Sequence, residues 1–356
     1  METTFVHKIF AFPMHISELD FDLPPELIAS EPLEERDRSR LLRVDRSASD
    51  YSDSYFSDLP DLLKPSDVLV VNNTKVFPAR LLGRSETGAA VEIFLIHEVA
   101  DRTWEALAKP ARRLPPGKSI IFGEGLTGHI IERDPDGHVV VSLRSELPLH
   151  EAIEQYGRTP LPPYIKRDRD ALDRDRERYQ TVYASHSGAI AAPTAGLHFT
   201  PEVFDRLRKK GIQIVEVTLH VGYGTFEPVK VEDLTQHRVQ PERFTLSEEA
   251  AAALNRAKAD GRRIVAVGTT TTRTLESVVS KFGEFRASTG QADLTILPGY
   301  RFQAIDALLT NFHLPKSSLL ALVSTFGGHE LIMNAYRHAV ASRYRFYSYG
   351  DCMLIT

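Results

Sequence analysis

The chain has 356 residues, 42% of them hydrophobic and 26% charged, with a formal net charge of −5. That balance excludes a disordered chain and argues against a protein that coats nucleic acid through bulk positive charge. A single cysteine, Cys352, excludes a disulfide framework or a thiolate metal cluster.

In chain order, the N-terminal METTFVHKIFAFPMHISELD is broken early by Pro13 and Asp20, so no secretory leader is expected. No apolar run reaches 18 residues, so no membrane span is expected and a cytoplasmic location is. From Asp67 to Arg144 short apolar runs (VLVVNN, ARLLG, AVEIFLI, TWEALA, KSIIFGEG, TGHIIERD, HVVVSLRS) alternate with Gly, Pro, Asp and Asn. This predicts a small all-β barrel or sandwich inserted at about residues 65–150. Within it, GEGLTG (123–128) matches a dinucleotide fingerprint, but strand-like SIIF precedes it and HIIERD follows. It reads as a turn between strands, because the fingerprint needs a helix after it. Lys109, Arg112, Arg113 and Lys118 form a basic stretch without acids, whereas residues 158–178 mix seven basic side chains with five acids.

Residues 179–201 carry no formal charge and are mostly Ala, Gly, Ser and Thr, with His186 and His198 embedded. Thr200-Pro201 then opens a helix over PEVFDRLRKKG, and IQIVEVTLHV follows as a strand. Glu216, Thr218 and His220 share one face of that strand, and the glycine-bearing GYGTFEP follows it. Ser247 caps SEEAAAALNRAKADG, RIVAVG is the next strand, and a helix is expected to begin near Thr274. The threonines before it, Thr269, Thr270 and Thr271, lie where a helix N-terminus could bind a carboxylate or phosphate. Near the C-terminus Arg337, Arg343 and Arg345 interleave with five aromatics, a pattern suited to stacked bases, or to a solvated helix end before a buried strand. This alternation predicts a mixed α/β protein: a discontinuous, barrel-like α/β domain (1–64 plus 151–356) carrying the β-barrel-like insert.

Several segments together resemble one family. AAPTAGLHFT (191–200), LPPYIKR, YQTVYA, NNTKVFPARL, TLHVGYGTFEPV, VGTTTTRTLES, LPGYRF, LLTNFHLPKSSLLALVSTFGG and YRFYSYGDCMLI are similar to motifs of the S-adenosylmethionine:tRNA ribosyltransferase-isomerases of queuosine biosynthesis. The resemblance runs through nearly the whole chain. One departure is HRVQPE, which keeps His237 and Glu242 but places Gln240 where the family usually has a second histidine.

The resemblance implies transfer of the ribosyl part of S-adenosylmethionine to a 7-aminomethyl-7-deazaguanine at the tRNA wobble position, with adenine and methionine released and no metal. It implies tRNA as partner; beside it, no membrane contact and a monomer are expected. Such chemistry needs proton transfer near neutral pH, which histidine suits. The candidates are His198, His220, His313, Glu216 and Tyr179. Thr194, Gly196, Thr269, Thr270, Thr271 and Asn311 are candidates for holding S-adenosylmethionine. Lys109, Arg112, Arg113, Lys316 and Arg345 are candidates for tRNA contact. Two alternatives stand beside this reading: an S-adenosylmethionine-binding paralogue with altered activity, and a non-catalytic RNA-binding protein. A methyltransferase of another class is disfavoured by the missing glycine loop.

Overall fold

The computed structural model of the protein describes residues 14–165, 172–226 and 229–356. Most of the stretch read for a leader lies outside these residues. So do Lys166 and Arg167 of LPPYIKR, part of the mixed-charge run, and Glu227 and Pro228 of GYGTFEP.

Val68–Asn72 is buried along its whole length and pairs in parallel with Gln213–Leu219 on one side and Ile264–Val267 on the other. A strand covered on both faces reads as an unbroken apolar run. In sequence it therefore looks like the first of the barrel strands, whereas it sits at the centre of a different sheet. The chain divides into a larger unit (up to Thr74, Thr181–His186 and Pro193–Thr356) and a smaller one (Lys75–Gln180 and Ser187–Ala192). These limits differ from the 65–150 expected for the insert, and Val68–Asn72 accounts for the first difference.

The larger unit is built on nine strands. In spatial order they are Ser288–Ala292, Glu242–Leu246, Gln213–Leu219, Val68–Asn72, Ile264–Val267, Ala307–Asn311, Cys352–Ile355, Arg40–Asp45 and Asp50–Tyr55. The order is linear between two edge strands, so the sheet is open where a barrel-like wrap was expected. The four strands from Gln213–Leu219 to Ala307–Asn311 are mutually parallel, so their carboxyl ends share one edge.

Helices Pro201–Lys209 and Glu248–Ala259 start where the sequence places them: Thr200 and Ser247 accept hydrogen bonds from the backbone N–H of Val203 and Ala250. Helix Thr269–Phe282 starts five residues before the expected Thr274. Gly268 is its N-cap at φ 88°, and Thr271, Thr272 and Thr274 turn their hydroxyls onto the carbonyls of Val267, Gly268 and Thr270. Back-bonding of this kind lets a run of threonines sit inside a helix although their propensity favours caps and turns. One face of the sheet, with Leu69, Val71, Val265, Val267 and Leu309, buries Phe199, Val203, Phe204 and Leu207. Phe199 and Phe204 stack with ring centroids 4.8 Å apart.

In the smaller unit six antiparallel strands, from Arg80–Ser85 to His138–Ser145, close on themselves where Arg84 pairs with Ile121. GEGLTG is the turn of the hairpin joining Ser119–Gly123 to Leu126–Arg133, with Gly125 at φ 89°. Gly123 must lack a side chain because a Cβ there would lie 2.2 Å from the Tyr156 ring.

One buried ion pair ties four segments of the larger unit. Arg273 Nη1 lies 2.7 Å from Glu242 Oε2, and its Nη2 donates to the Ala292 carbonyl at 2.7 Å. Glu242 Oε1 in turn accepts from the Gly222 N–H at 2.9 Å. Arg273→Ala leaves the carboxylate buried without its guanidinium, and a loss of ~3–5 kcal/mol in unfolding free energy by urea titration is expected. A loss below ~1 kcal/mol would mean that the pair does not hold these segments.

Candidate functional site

The parallel strands end on one edge, at Leu219, Asn72, Val267 and Asn311, with Leu219 two residues beyond the partner of Asn72 and Asn311 two beyond the partner of Val267. Open α/β sheets bind ligands at such an edge. Asn72 is completely buried there. Its Nδ2 donates to the Leu219 carbonyl at 2.9 Å, and its Oδ1 accepts from the Leu219 N–H at 3.0 Å and the Thr74 N–H at 3.2 Å. The side chain thus does the pairing that the backbone would do if the strand continued.

Two sequence candidates hang from the next two residues. Asn73 Nδ2 donates to Glu216 Oε2 at 2.8 Å, and Asn73 Oδ1 accepts from the Thr218 hydroxyl at 2.7 Å. The polar face expected on this strand is thereby gathered by one amide, with Glu216 still exposed. Thr74 Oγ1 lies 2.9 Å from His220 Nδ1. His220 is half-buried, and its Nε2 has no partner among the described residues. Burial lowers its pKa, helped by the Arg243 and His186 charges.

The small-residue segment forms a tight turn, Thr194–His198. A Cβ on Gly196 would lie 2.0 Å from the Tyr183 hydroxyl and 2.8 Å from Thr181 Cγ2, so only glycine fits. Ala195 packs beside Gly268, where a Cβ would meet its methyl at 3.6 Å. The turn therefore abuts the start of helix Thr269–Phe282, whose N-cap makes no side-chain hydrogen bond. That leaves the first N–H groups without an intrahelical acceptor. Thr270 Oγ1 lies 3.5 Å from Asn72 Nδ2, while the hydroxyl of fully buried Thr271 is committed to the Val267 carbonyl.

His198, at the end of the turn, bridges Ser39, just before the strand Arg40–Asp45, and Asn311, at the end of the strand Ala307–Asn311. Its Nδ1 lies 2.7 Å from Ser39 Oγ and its Nε2 3.3 Å from Asn311 Nδ2. Burial, then the Arg345 and Arg36 charges, pushes its pKa down to about 3. His313 is also buried, with Nε2 3.1 Å from Thr310 Oγ1, and burial alone takes its pKa down to about 3.

The remaining candidates lie elsewhere. Tyr179 belongs to the smaller unit and is buried; Lys109, Arg112 and Arg113 belong to it too and are exposed. Lys316 pairs with Asp20 at 2.6 Å, and Arg345 donates to the Glu31 carbonyl. Sequence reasoning missed Ser39, Asn72, Asn73, Thr181 and Tyr183. Of these, only the NNT triplet at a strand end gave a local signal. His237, Gln240 and Arg273 line a separate cavity of about 230 Å³, where Gln240 Cγ lies 2.4 Å from the place of a Gly224 Cβ. Among the described residues no group of His, Cys, Asp or Glu gathers as metal ligands, and no helix is long and apolar enough to cross a membrane.

An open α/β sheet carrying amides, hydroxyls and histidines at its strand ends is the architecture of an enzyme for a small polar substrate. A family model described as queuosine biosynthesis protein matches residues 16–355. The chain is similar to the S-adenosylmethionine:tRNA ribosyltransferase-isomerase of Syntrophotalea carbinolica, 49% identical over 346 residues, 96% of this chain and all of that protein. It is 51% identical over 344 residues to the protein of the same description in Symbiobacterium thermophilum, again covering 96% of this chain and all of the relative. The crystal structure of S-adenosylmethionine tRNA ribosyltransferase from Thermotoga maritima is 36% identical, covers 96% of this chain and all of that one, and superposes with a TM-score of 0.55. The chain belongs to the S-adenosylmethionine:tRNA ribosyltransferase-isomerase family of queuosine biosynthesis proteins.

A histidine whose native pKa lies below its ordinary 6.5 contributes its full stabilisation above that pH and loses it as pH falls toward the native value of about 3. His198→Gln, which cannot titrate, is therefore expected to flatten the fall of unfolding free energy below pH 6.5 by up to ~1.4 kcal/mol per pH unit. Urea titrations at several pH values read this slope. An unchanged slope would show that His198 is as free to charge in the native state as in the unfolded one.

Proposed function

We propose that the chain transfers and isomerises the ribosyl moiety of S-adenosylmethionine onto 7-aminomethyl-7-deazaguanine at the tRNA wobble position, giving epoxyqueuosine-tRNA and releasing adenine and methionine. The observation that carries this reading is the family match over residues 16–355, which spans every segment lining the strand-end site.

The sulfonium of the substrate acidifies the neighbouring ribose carbon, so a base is needed there, and acids are needed for departing adenine and for the developing epoxide oxygen. His220 and Glu216 are the proposed proton-transfer pair: both emerge from the strand Gln213–Leu219, and His220 Nε2 is open to a substrate atom. His198, His313 and Tyr179 are the further candidates. The first N–H groups of helix Thr269–Phe282, with Thr269, Thr270 and Thr271, would take the methionyl carboxylate, since a helix N-terminus favours an anion. Thr194 and Gly196 would let backbone approach the adenosine closely, with Asn311 beside them. In this reading the reaction uses no metal, the protein acts as a monomer in the cytoplasm, and tRNA is held by Lys109, Arg112, Arg113, Lys316 and Arg345.

The direct test is adenine release, followed by chromatography, from S-adenosylmethionine in the presence of tRNA bearing the 7-aminomethyl-7-deazaguanine base. Release only with the modified tRNA is expected; none with folded protein and verified substrate would sink the reading. His220→Ala is expected to lower kcat by about 10²–10⁴-fold. Replacing Arg112 and Arg113 together by Glu should raise KM for tRNA while leaving S-adenosylmethionine binding, read by calorimetry, unchanged. Equal loss of both would remove the basic loop from the tRNA-binding surface.

A further inference from the structure

Asn311 ends the strand Ala307–Asn311 with a side chain that is 2% exposed. Its Nδ2 donates to the Tyr347 carbonyl at 3.1 Å and faces His198 Nε2 at 3.3 Å. A carbonyl can only accept, which fixes the amide nitrogen on that side. His198 Nε2 must then be the bare, accepting nitrogen, and the imidazole proton lies on Nδ1. From there it donates to Ser39 Oγ at 2.7 Å, and the Ser39 hydroxyl passes its own proton to the Arg36 carbonyl at 3.3 Å. Every proton in the row Arg36–Ser39–His198–Asn311–Tyr347 is accounted for with His198 neutral. A second proton on the ring would set an N–H against the amide N–H₂, with two guanidinium charges, Arg36 and Arg345, already acting on it.

One atom of the row is left over. Asn311 Oδ1 is buried and has no hydrogen-bond partner among the described residues. A buried carbonyl oxygen without a partner costs free energy that a bound donor would recover. Two residues packed against Gly196 in the turn that carries His198, Tyr183 through its hydroxyl and Thr181 through its methyl, also have buried hydroxyls without a partner among the described residues. Groups of this kind around Ala and Gly suit an uncharged ligand surface bearing N–H or O–H groups, since an ion there would be left poorly solvated.

We propose that His198 is a positioning residue: held between Ser39 and Asn311 as the Nδ1–H imidazole, it fixes the Asn311 amide so that Oδ1 accepts from an uncharged N–H or O–H donor of the substrate. The donor is a sugar hydroxyl or a heterocycle amine. Both substrates of the proposed reaction carry such groups, so the assignment of the donor rests on that reading. The tautomer does not.

The first test therefore needs no activity. In protein labelled with ¹⁵N-histidine, His198 is expected to show the Nδ1–H tautomer and no titration from about pH 5.5 to 8.5. An Nε2–H tautomer, or a titration in that range, overturns the proposal. The second test is kinetic. His198→Gln keeps a donor and an acceptor but cannot carry a proton through the reaction. His198→Ala is expected to raise the same KM as Asn311→Ala, His198→Gln to recover most of that rise, and the pH profile of kcat/KM to keep both limbs in each variant. Loss of a limb of that profile would make His198 an acid or base and overturn the positioning role. Asn311→Ala is expected to raise one KM by about tenfold with little change in kcat, as removal of one hydrogen bond made equally in ground and transition states does. A rise for S-adenosylmethionine assigns the donor to that substrate, a rise for tRNA assigns it to the modified base, and no rise in either overturns the acceptor role. If the parent releases no adenine, the functional reading fails on its own, and the ¹⁵N spectrum still decides the tautomer.

Discussion

The site depends on the amide of Asn72. It ends the central strand of the large sheet, where the parallel ladder stops, and it bonds both backbone groups of Leu219. Backbone groups at a buried strand end must find partners somewhere, and here a side chain supplies them without continuing the strand. The chain is thereby free to turn at Asn73 and Thr74, which deliver Glu216 and His220 to the edge. A carboxamide is the economical choice for this work because it carries a donor and an acceptor on one rigid plane. Asn311, two strands away, uses only the donor half of its amide among the described residues, bonding His198 and Tyr347 through nitrogen.

The histidines at this edge divide by environment. His198 and His313 are buried, and desolvation lowers the pKa of each to about 3, which favours the neutral ring. His220 keeps part of its ring exposed and one nitrogen open. Proton transfer requires a group that can exist in both forms near neutral pH, and of these three His220 meets that requirement best. Residue type alone could not separate them, because all three are histidines in unusual, low-charge segments.

What the sequence disclosed was local. Thr200 and Ser247 announced their helices because a cap acts within three residues, and Glu216, Thr218 and His220 announced a shared face because a strand has period two. What it withheld was non-local. The run VLVVN has the texture of its barrel neighbours, and its place between Gln213–Leu219 and Ile264–Val267 depends on partners far along the chain. Ser39 meets His198 across 159 residues, and no spacing rule reaches that far. The helix start at Thr269 was hidden for another reason. β-Branched threonines argue against helix, and the compensation, hydroxyls bonded back to carbonyls four residues earlier, becomes visible only once Gly268 has turned the chain.

Gln240, where the resemblance leads to the expectation of a histidine, is built tightly into its surroundings. Its Cβ and Cγ occupy the space a side chain at Gly224 would need, at 2.6 and 2.4 Å from the would-be Cβ. Gly224 is thus required by its neighbour, and the pair sets the path of the loop that follows His220. Arg273 reaches the same segment from the other side, through the Gln240 carbonyl at 3.3 Å, and is anchored by Glu242. The backbone at position 240 is therefore held by the buried ion pair, whatever side chain it carries. Its carboxamide adds no titrating group to the cavity that also holds His237, and the loop geometry rests on Gly224, Arg273 and Glu242. The strand Gln213–Leu219 and the residue after it are held by the Asn72–Thr74 corner through contacts that do not involve Gln240.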